Sequence, residues 1–166
     1  MVGEARTRQG RKSSTRFLIV DAQSVKNTDS AGEKISGIKH HIAVDTQGLP
    51  HAIAVTTADV TDRKGALLAL GRCAADLQAV QRILADGGYV GQPFAQAVEE
   101  LLGAEVKIAK RSELHTFAVM PQRWVVERSF AWIEKCRRLW KNCERKLNTS
   151  LQFIHLAFLS LLLRRS

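Results

Sequence analysis

The sequence predicts an α/β domain, with a mixed five-stranded sheet flanked by helices. Three observations support this prediction. The chain begins with segments suited to three antiparallel strands, it continues with alternating helical and strand patterns, and 45% of its 166 residues are apolar. That length and apolar fraction suit one domain with a substantial core. An antiparallel start followed by helix–strand repeats then produces a sheet of mixed strand direction.

The antiparallel strands come first along the chain. Phe17–Val20 is a short apolar run of the kind found in central strands, and Asp21 follows it. Ile38–Asp45 and Pro50–Thr57 form the clearest hairpin, because both contain the string IAV and the TQG string between them favours a turn.

The rest of the chain alternates between strand and helix patterns. Helices are predicted at Asp62–Ala74, at Gln92–Leu102, at Gln122–Arg145 and from Asn148 or Thr149 to Arg164, and strands at Gln81–Ala85 and Glu105–Ala109. The strand at 81–85 is followed by Asp86 and two glycines. Polar stretches at 27–36 and 111–121 are predicted as loops.

Charge is segregated along the chain, whose formal net charge is +9. Residues 1–16 carry five Lys/Arg against one acid and residues 107–146 carry eleven against four, whereas residues 17–106 carry seven against eleven. Such segregation favours a polyanionic partner, with nucleic acid the first candidate and a solvated basic helix face the alternative. Because residues 1–16 have no hydrophobic periodicity, they are predicted to be a basic flexible arm.

Several classes of protein are disfavoured by the composition. Cys73, Cys136 and Cys143 contain no C-x-x-C pair, so neither a disulfide framework nor a zinc site is indicated. The N-terminal residues are polar and basic and do not resemble a secretory signal. The most apolar run, Leu151–Leu163, is too short and too interrupted by polar residues to span a bilayer. We therefore expect a cytoplasmic protein.

Three carboxylates from separate elements are the first candidates for chemistry. Asp21 and Asp86 each end a predicted strand, and Glu127 lies on the long helix between Arg123 and Arg128. Carboxylates that converge at the end of a sheet can hold two divalent ions, and oxygen ligands suit Mg²⁺ or Mn²⁺. Two such ions promote phosphodiester cleavage. The alternatives are strand-end caps and a glycosidase pair, although the latter leaves the basic flanks unexplained.

Four separated strings resemble a known family. They are VDAQSVK (20–26), GIKHHIAVDTQGLPHAIAVTTADVTDRKGA (37–66), LADGGYVG (84–91) and RWVVERSFAWIEKCRRL (123–139). They run in order along nearly the whole chain and resemble the catalytic part of bacterial insertion-sequence DDE transposases, most closely the group typified by insertion sequence five. The resemblance implies a ribonuclease H-like DDE catalytic domain at residues 17–166.

The resemblance also implies a reaction and its ligands. Asp21, Asp86 and Glu127 match the family's catalytic acids, which ligate two Mg²⁺ ions, with Mn²⁺ as a substitute. The implied activity is hydrolysis at transposon ends followed by strand transfer into target DNA, so we expect double-stranded DNA as partner. We also expect a homodimer or higher synaptic oligomer associated with the bacterial nucleoid. The predicted DNA-contacting residues are Lys39, His40, Arg123, Arg128, Lys135 and Arg138.

The chain departs from the family pattern in two respects. The family signature is tyrosine, two residues, arginine, three residues, glutamate, six residues, lysine. Arg123 and Glu127 match it, whereas Met120 and Glu134 occupy the tyrosine and lysine positions and Lys135 comes one place later. Full-length relatives carry a helical DNA-binding region before the first strand, and we expect this chain to lack it. We therefore expect either the downstream product of two frames joined by frameshifting, with the upstream product as partner, or a truncated remnant that only binds DNA or protein. A general nuclease of the same fold is a third alternative.

Overall fold

Ten helices and strands alternate along the parts of the chain that the computed structural model describes, residues 1–28, 37–109 and 123–165. They are α1 (Val2–Arg8), β1 (Phe17–Val25), β2 (Ile38–Val44), β3 (Pro50–Thr57), α2 (Asp62–Arg72), β4 (Arg82–Ala85), α3 (Gln92–Leu102), β5 (Glu105–Ile108), α4 (Arg123–Glu134) and α5 (Leu147–Arg165). Short 3₁₀ helices at Ala74–Leu77 and Gly87–Tyr89 flank β4. The predicted loop at 111–121 and most of that at 27–36 lie outside the described residues.

The five strands form one mixed sheet in the order β3-β2-β1-β4-β5. The strands β1, β2 and β3 are mutually antiparallel neighbours, whereas β4 is parallel to β1 and β5 is parallel to β4. The predicted mixed five-stranded sheet is therefore confirmed. The parallel strand β4 lies beside β1 because the chain crosses over through α2 before it returns to the sheet.

Strand β1 is longer than the apolar run that predicted it. Its pairing with β2 continues from Ile19 opposite Val44 to Val25 opposite Ile38. Asp21 was predicted at a strand end, and the structure instead places it inside β1. The pairing of β1 with β4, however, ends with Ile19 opposite Leu84, so Asp21 lies just beyond the parallel part of β1.

The two faces of the sheet belong to two separate cores. Leu18 and Val20 of β1 face a core that α2 and α3 close, whereas Ile19 faces a core that α4 and α5 close. This follows from the alternation of side chains along a strand. The apolar α5 thus covers one sheet face. No helix in the described part of the chain is long and apolar enough to cross a membrane.

The N-terminal segment differs from the flexible arm that the sequence predicts at residues 1–16. Helix α1 forms within it, and the Arg6 guanidinium pairs with the carboxylate of Asp45, which is fully buried. Hydrophobic periodicity could not reveal this helix, because a buried ion pair and not an apolar stripe holds it.

The sequence predicts one long helix at Gln122–Arg145, and this prediction was wrong in its length, because α4 ends at Glu134. The chain leaves the helix after Glu134 and forms a β-bridge between Asn142 and Asn27. The backbone N–H of Asn142 donates to the carbonyl of Lys26 at 2.9 Å, and its carbonyl accepts from the N–H of Thr28 at 2.9 Å. These long-range backbone hydrogen bonds compete with continuation of the helix.

A glycine pair in α2 allows a matched test of the packing between α2 and β2. A Cβ at Gly65 would lie 2.1 Å from the His41 ring, so we expect Gly65→Ala to lower the free energy of unfolding by about 1–3 kcal/mol through overpacking. A Cβ at Gly71, in the same helix, meets nothing within 4 Å. The Gly71→Ala control should therefore leave stability unchanged or raise it by about 0.5–1 kcal/mol. Urea unfolding followed by circular dichroism measures both, and equal losses would contradict the packing argument.

Candidate active site

Asp21 and Asp86 lie side by side at one edge of the sheet. Because Ile19 pairs with Leu84 in parallel register, each aspartate lies two residues beyond a paired residue, on strands about 4.8 Å apart. Side-chain alternation directs both toward the face that α4 covers. Both line one small cleft, to which α4 contributes Val126. The structure thus brings together two of the three predicted acids.

Backbone N–H groups orient both carboxylates. The Oδ1 atom of Asp21 accepts from the N–H of Ala22 at 2.8 Å, and Oδ1 of Asp86 accepts from the N–H of Gly88 at 2.9 Å. The latter contact caps the 3₁₀ turn at Gly87–Tyr89. Carboxylates that are held by backbone donors keep a defined direction toward the cleft.

Glu127 approaches from helix α4, immediately after the cleft-lining Val126. It is exposed, and Glu134 lies seven residues further on, within about 20° around the helix axis. Glu134 accepts a hydrogen bond from Gln23, which shares a strand face with Asp21. The face of α4 that carries Glu127 and Glu134 is therefore directed toward β1.

The donor set at this edge is chemically suited to a hard divalent cation. Asp21, Asp86 and Glu127 supply only carboxylate oxygens, which Mg²⁺ and Mn²⁺ prefer. Within residues 1–28, 37–109 and 123–165, no three His, Cys, Asp or Glu side chains lie close enough together to hold a metal ion. Two donors therefore share the cleft, and the third lies on the neighbouring helix beside it.

Arg128, predicted to contact DNA, is half-buried, and contacts within the protein hold its guanidinium. Its guanidinium carbon lies 4.5 Å from the ring centroid of Trp124 and 4.9 Å from that of Trp132. Its Nη2 donates to the carbonyl of Gln47 at 2.9 Å. Sequence reasoning missed this stack, although the i, i+4, i+8 spacing of Trp, Arg and Trp places all three on one helix face.

The hairpin residues predicted to contact phosphate lie mostly inside the fold. Lys39 donates to the carbonyl of Val60 at 3.0 Å and pairs with Asp62 at 2.9 Å. His40 is only 1% exposed, and burial followed by the neighbouring His41 lowers its pKa to about 4. A neutral, buried imidazole does not fit the predicted phosphate contact, so His40 is not part of the DNA surface proposed below.

The remaining predicted DNA-contacting residues lie at or near α4. Arg123 begins the helix, and its side chain is outside the described part of the structure. Lys135 is exposed just after the helix end. Arg138 is also exposed, pairs with Glu144 and stacks 4.5 Å above the ring of Phe153. Of these three residues, Lys135 and Arg138 have side chains that the structure describes, and both are exposed.

The charges of Asp21, Asp86 and Asp62 all act on the buried side chain of Tyr89. Tyr89 is 1% exposed and packs on Phe94, with ring centroids 5.3 Å apart. Burial, followed by the negative charges of Asp21, Asp62 and Asp86, raises the pKa of Tyr89, so its hydroxyl stays protonated. Asp62 was predicted only as the first residue of a helix, and nothing in its spacing relates it to the two strand aspartates.

The chain belongs to the transposase DDE domain family, whose model matches residues 12–163. It is also 36% identical, over 132 residues, to a Burkholderia cepacia protein assigned as the transposase of insertion sequence element IS402. The match covers 75% of this chain and 60% of that relative, so the chain spans less than two thirds of the relative's length. The predicted family is confirmed, and the insertion sequence five subgroup stays a prediction.

Solved structures with the same fold come from retroviral integration proteins. A chain of the simian T-cell lymphotropic virus intasome in complex with PP2A regulatory subunit B56 gamma has a TM-score of 0.60 at 15% identity, over 89% of this chain and 48% of that one. The catalytic core domain of BIV integrase has a TM-score of 0.56 at 13% identity, over 89% and 84%. The ribonuclease H-like fold predicted from the sequence is confirmed.

The two buried histidines of β2 predict a pH-dependent stability. Burial also lowers the pKa of His41 to about 4, and its Nε2 lies 2.9 Å from the hydroxyl of Thr56. Between pH 6.5 and 4 the unfolded chain binds protons on both histidines that the folded chain does not. The free energy of unfolding should therefore fall as the pH is lowered, by up to about 1.4 kcal/mol per pH unit for each histidine.

Urea unfolding at pH values from 7 to 4.5 measures this dependence. His40→Gln should reduce the slope and leave the parts that come from His41 and from His155, whose pKa burial also lowers. Asp45 does not interfere, since its pKa is below the ordinary value of about 3.9 and its contribution is lost only below that pH. A constant free energy of unfolding across this range would contradict the neutral state of the histidines.

Proposed function

We propose that this chain is the catalytic domain of a bacterial DNA transposase that cleaves transposon ends and joins them to target DNA. The observation that supports this most directly is the register of β1 and β4, which sets Asp21 and Asp86 together at one cleft beside α4. Family membership supplies the reaction class, and the charge segregation supplies a reason for a polyanionic substrate. Residues 17–166 form the catalytic unit in this proposal, and residues 1–16 form a basic N-terminal segment that α1 and Arg6 attach to it.

Asp21, Asp86 and Glu127 are proposed as the catalytic carboxylates and as the ligands of two Mg²⁺ ions, with Mn²⁺ as a substitute. Members of the DDE family depend on divalent metals in general. When bound, such ions polarise a phosphodiester and stabilise its leaving oxygen. The backbone N–H groups of Ala22 and Gly88 orient the two aspartates. Glu127 supplies its carboxylate from α4, so the position of that helix sets the third ligand.

The chemistry in this proposal is two successive displacements at phosphorus. A water oxygen attacks the phosphodiester at the transposon end, the P–O3′ bond breaks, and a 3′ hydroxyl is released. That hydroxyl then attacks a target phosphodiester, a new P–O bond forms, and the target's 3′ oxygen leaves. Since attack and departure are in line in both reactions, one arrangement of carboxylates serves both.

Double-stranded DNA, as transposon ends and target, is the proposed partner. Lys135 and Arg138 lie in the segment that follows α4 and are exposed, so DNA phosphates can reach them. We further propose a homodimer or higher synaptic oligomer, an upstream-frame product as a second protein partner, and association with the nucleoid. These proposals concern the whole transposase, of which the chain spans 60% in its curated relative.

A metal-dependent nicking assay tests the proposed chemistry. With transposon-end DNA and Mg²⁺, Asp86→Asn and Glu127→Gln should each lower the cleavage rate by about 100-fold or more, since even residues that only orient metal ligands cost 10–100-fold. Glu134→Gln is the matched control, because Glu134 lies on the same face of α4 as Glu127 but its carboxylate accepts a hydrogen bond from Gln23. Its cleavage rate should stay close to that of the wild type.

Three outcomes separate the alternatives. Equal cleavage by the wild type and both variants would reject these carboxylates as catalytic. An inactive wild type that still binds end DNA would indicate a DNA-binding remnant. Cleavage indifferent to the end sequence would indicate a general nuclease.

DNA binding at different salt concentrations tests the proposed surface. Lys135→Ala and Arg138→Ala should each reduce the slope of log K against log salt by about 1, as loss of one phosphate contact does. Arg82→Ala is the control, because Arg82 is exposed, pairs with Glu105 and begins β4 at the end opposite Asp86. An equal change for Arg82→Ala would show that net charge alone drives binding.

A further inference from the structure

We propose that the turn between β2 and β3, residues 45–49, positions helix α4 and thereby Glu127, and that Arg6 of α1 stabilises this turn. The name "Asp45 turn" is used for these residues. The consequence for catalysis depends on the function proposed above, since it concerns the third carboxylate of that site. The placement of the helix itself does not depend on it.

The Asp45 carboxylate organises the turn from inside. It is fully buried, and its Oδ1 accepts from the N–H groups of Gln47 and Leu49 at 2.8 and 3.1 Å. Its Oδ2 pairs with Arg6 and lies 3.3 Å from Nε2 of His51. Burial alone raises the pKa of Asp45, but hydrogen bonds from His51, Gln47 and Leu49 lower it below its ordinary value. At neutral pH a charged carboxylate therefore draws these groups together.

The outer carbonyls of the same turn hold α4. Gln47 offers its carbonyl to Nη2 of Arg128 at 2.9 Å, and Gly48 offers its carbonyl to Oγ of Ser129 at 3.1 Å. The single Ser129 hydroxyl hydrogen is shared between this carbonyl and that of Val125, at 3.0 Å on the preceding turn of α4. Ser129 is fully buried. Arg128 and Ser129 are the two residues that follow Glu127, so both contacts act on the helix turn that presents the carboxylate.

The turn and the helix are in direct contact at Gly48. Its φ of +79° is in the left-handed region, and a Cβ there would lie 2.8 Å from Oγ of Ser129 and 3.2 Å from the Trp132 ring. The ring of Trp132, together with that of Trp124, also confines the Arg128 guanidinium. Helix α4 therefore has little freedom to move or rotate against the turn.

Arg6 connects the N-terminal segment to this arrangement. It is 6% exposed, and its Nε donates to the carbonyl of Lys12 at 2.9 Å while Nη1 binds Asp45. Removal of the guanidinium would leave the buried Asp45 carboxylate without its nearest fixed cation, which is strongly destabilising for a buried pair. The path from α1 to Glu127 thus runs through Asp45, two turn carbonyls and two residues of α4.

A pair of buried serines separates positioning from general stabilisation. Ser129→Ala and Ser150→Ala each remove one buried hydroxyl. Ser150 lies on α5, away from the Asp45 turn, and its hydroxyl donates to Oδ1 of Asn142 at 2.8 Å. Both should lower Tm by similar amounts. Only Ser129→Ala should lower kcat for nicking, by about tenfold or more at unchanged KM, because misplacement by 1 Å costs about 100-fold. It alone should also raise, several-fold, the Mn²⁺ concentration that gives half-maximal thermal stabilisation.

Arg128→Ala distinguishes positioning from phosphate binding. If Arg128 positions α4, the salt slope for DNA binding stays unchanged while cleavage falls; if it contacts a phosphate, the slope drops by about 1. Equal effects of the two serine variants on kcat and on Mn²⁺ response, or a reduced slope for Arg128→Ala, would overturn the inference.

Amide hydrogen exchange measures the stability of α4 directly and does not require catalytic activity, so it tests the inference even if the proposed function fails. Arg6→Ala and Asp45→Asn should accelerate amide exchange in α4 several-fold and leave α3 unchanged. A wild type that shows neither nicking nor a response to Mn²⁺ would reject the proposed function. The exchange of α4 then decides the inference by itself, and unchanged protection of α4 in both variants would reject it.

Discussion

The parallel pairing of β1 with β4 is the constraint on which the candidate site depends. Ile19 opposite Leu84 sets the register, and from it Asp21 and Asp86 emerge at the same level and on the same face. A slip of one residue would direct one aspartate to the opposite face of the sheet, because side chains alternate along a strand. The two carboxylates lie close together because strand pairing fixes the backbone positions from which both side chains project.

The third carboxylate depends on a different kind of support. Glu127 lies on a helix that packs on the sheet through Val126 and Phe130, and apolar burial is non-directional, so it does not by itself fix the exact placement of a helix. Directional contacts between α4 and the Asp45 turn restrict that freedom. In the proposed site, the strand aspartates and the helix glutamate are therefore positioned by independent means, and mutations can impair either one separately.

Buried polar groups account for much of what apolar patterning could not predict. Asp45, Arg6 and His40 all lie in the interior, where a charge or an unpaired ring nitrogen is costly unless partners or a pKa shift compensate for it. Asp45 remains charged through its hydrogen bonds, whereas His40 loses its charge through burial. Arg6 was predicted in a flexible arm because residues 1–16 have no hydrophobic periodicity, and His40 was predicted to contact phosphate because it follows Lys39 at the start of a hairpin strand.

The sequence by itself determined the family, the order of most helices and strands, the mixed sheet and the three candidate acids. These features depend on local periodicity, turn residues and motif strings, which neighbouring positions encode. Only the tertiary structure decided that β1 continues past Asp21, that α4 ends at Glu134, that Arg128 is stacked between two tryptophans, and that Arg6 reaches Asp45. Each of these involves residues brought together from separate parts of the chain or from successive helix turns, and spacing along the sequence does not specify which of many available partners such residues will meet.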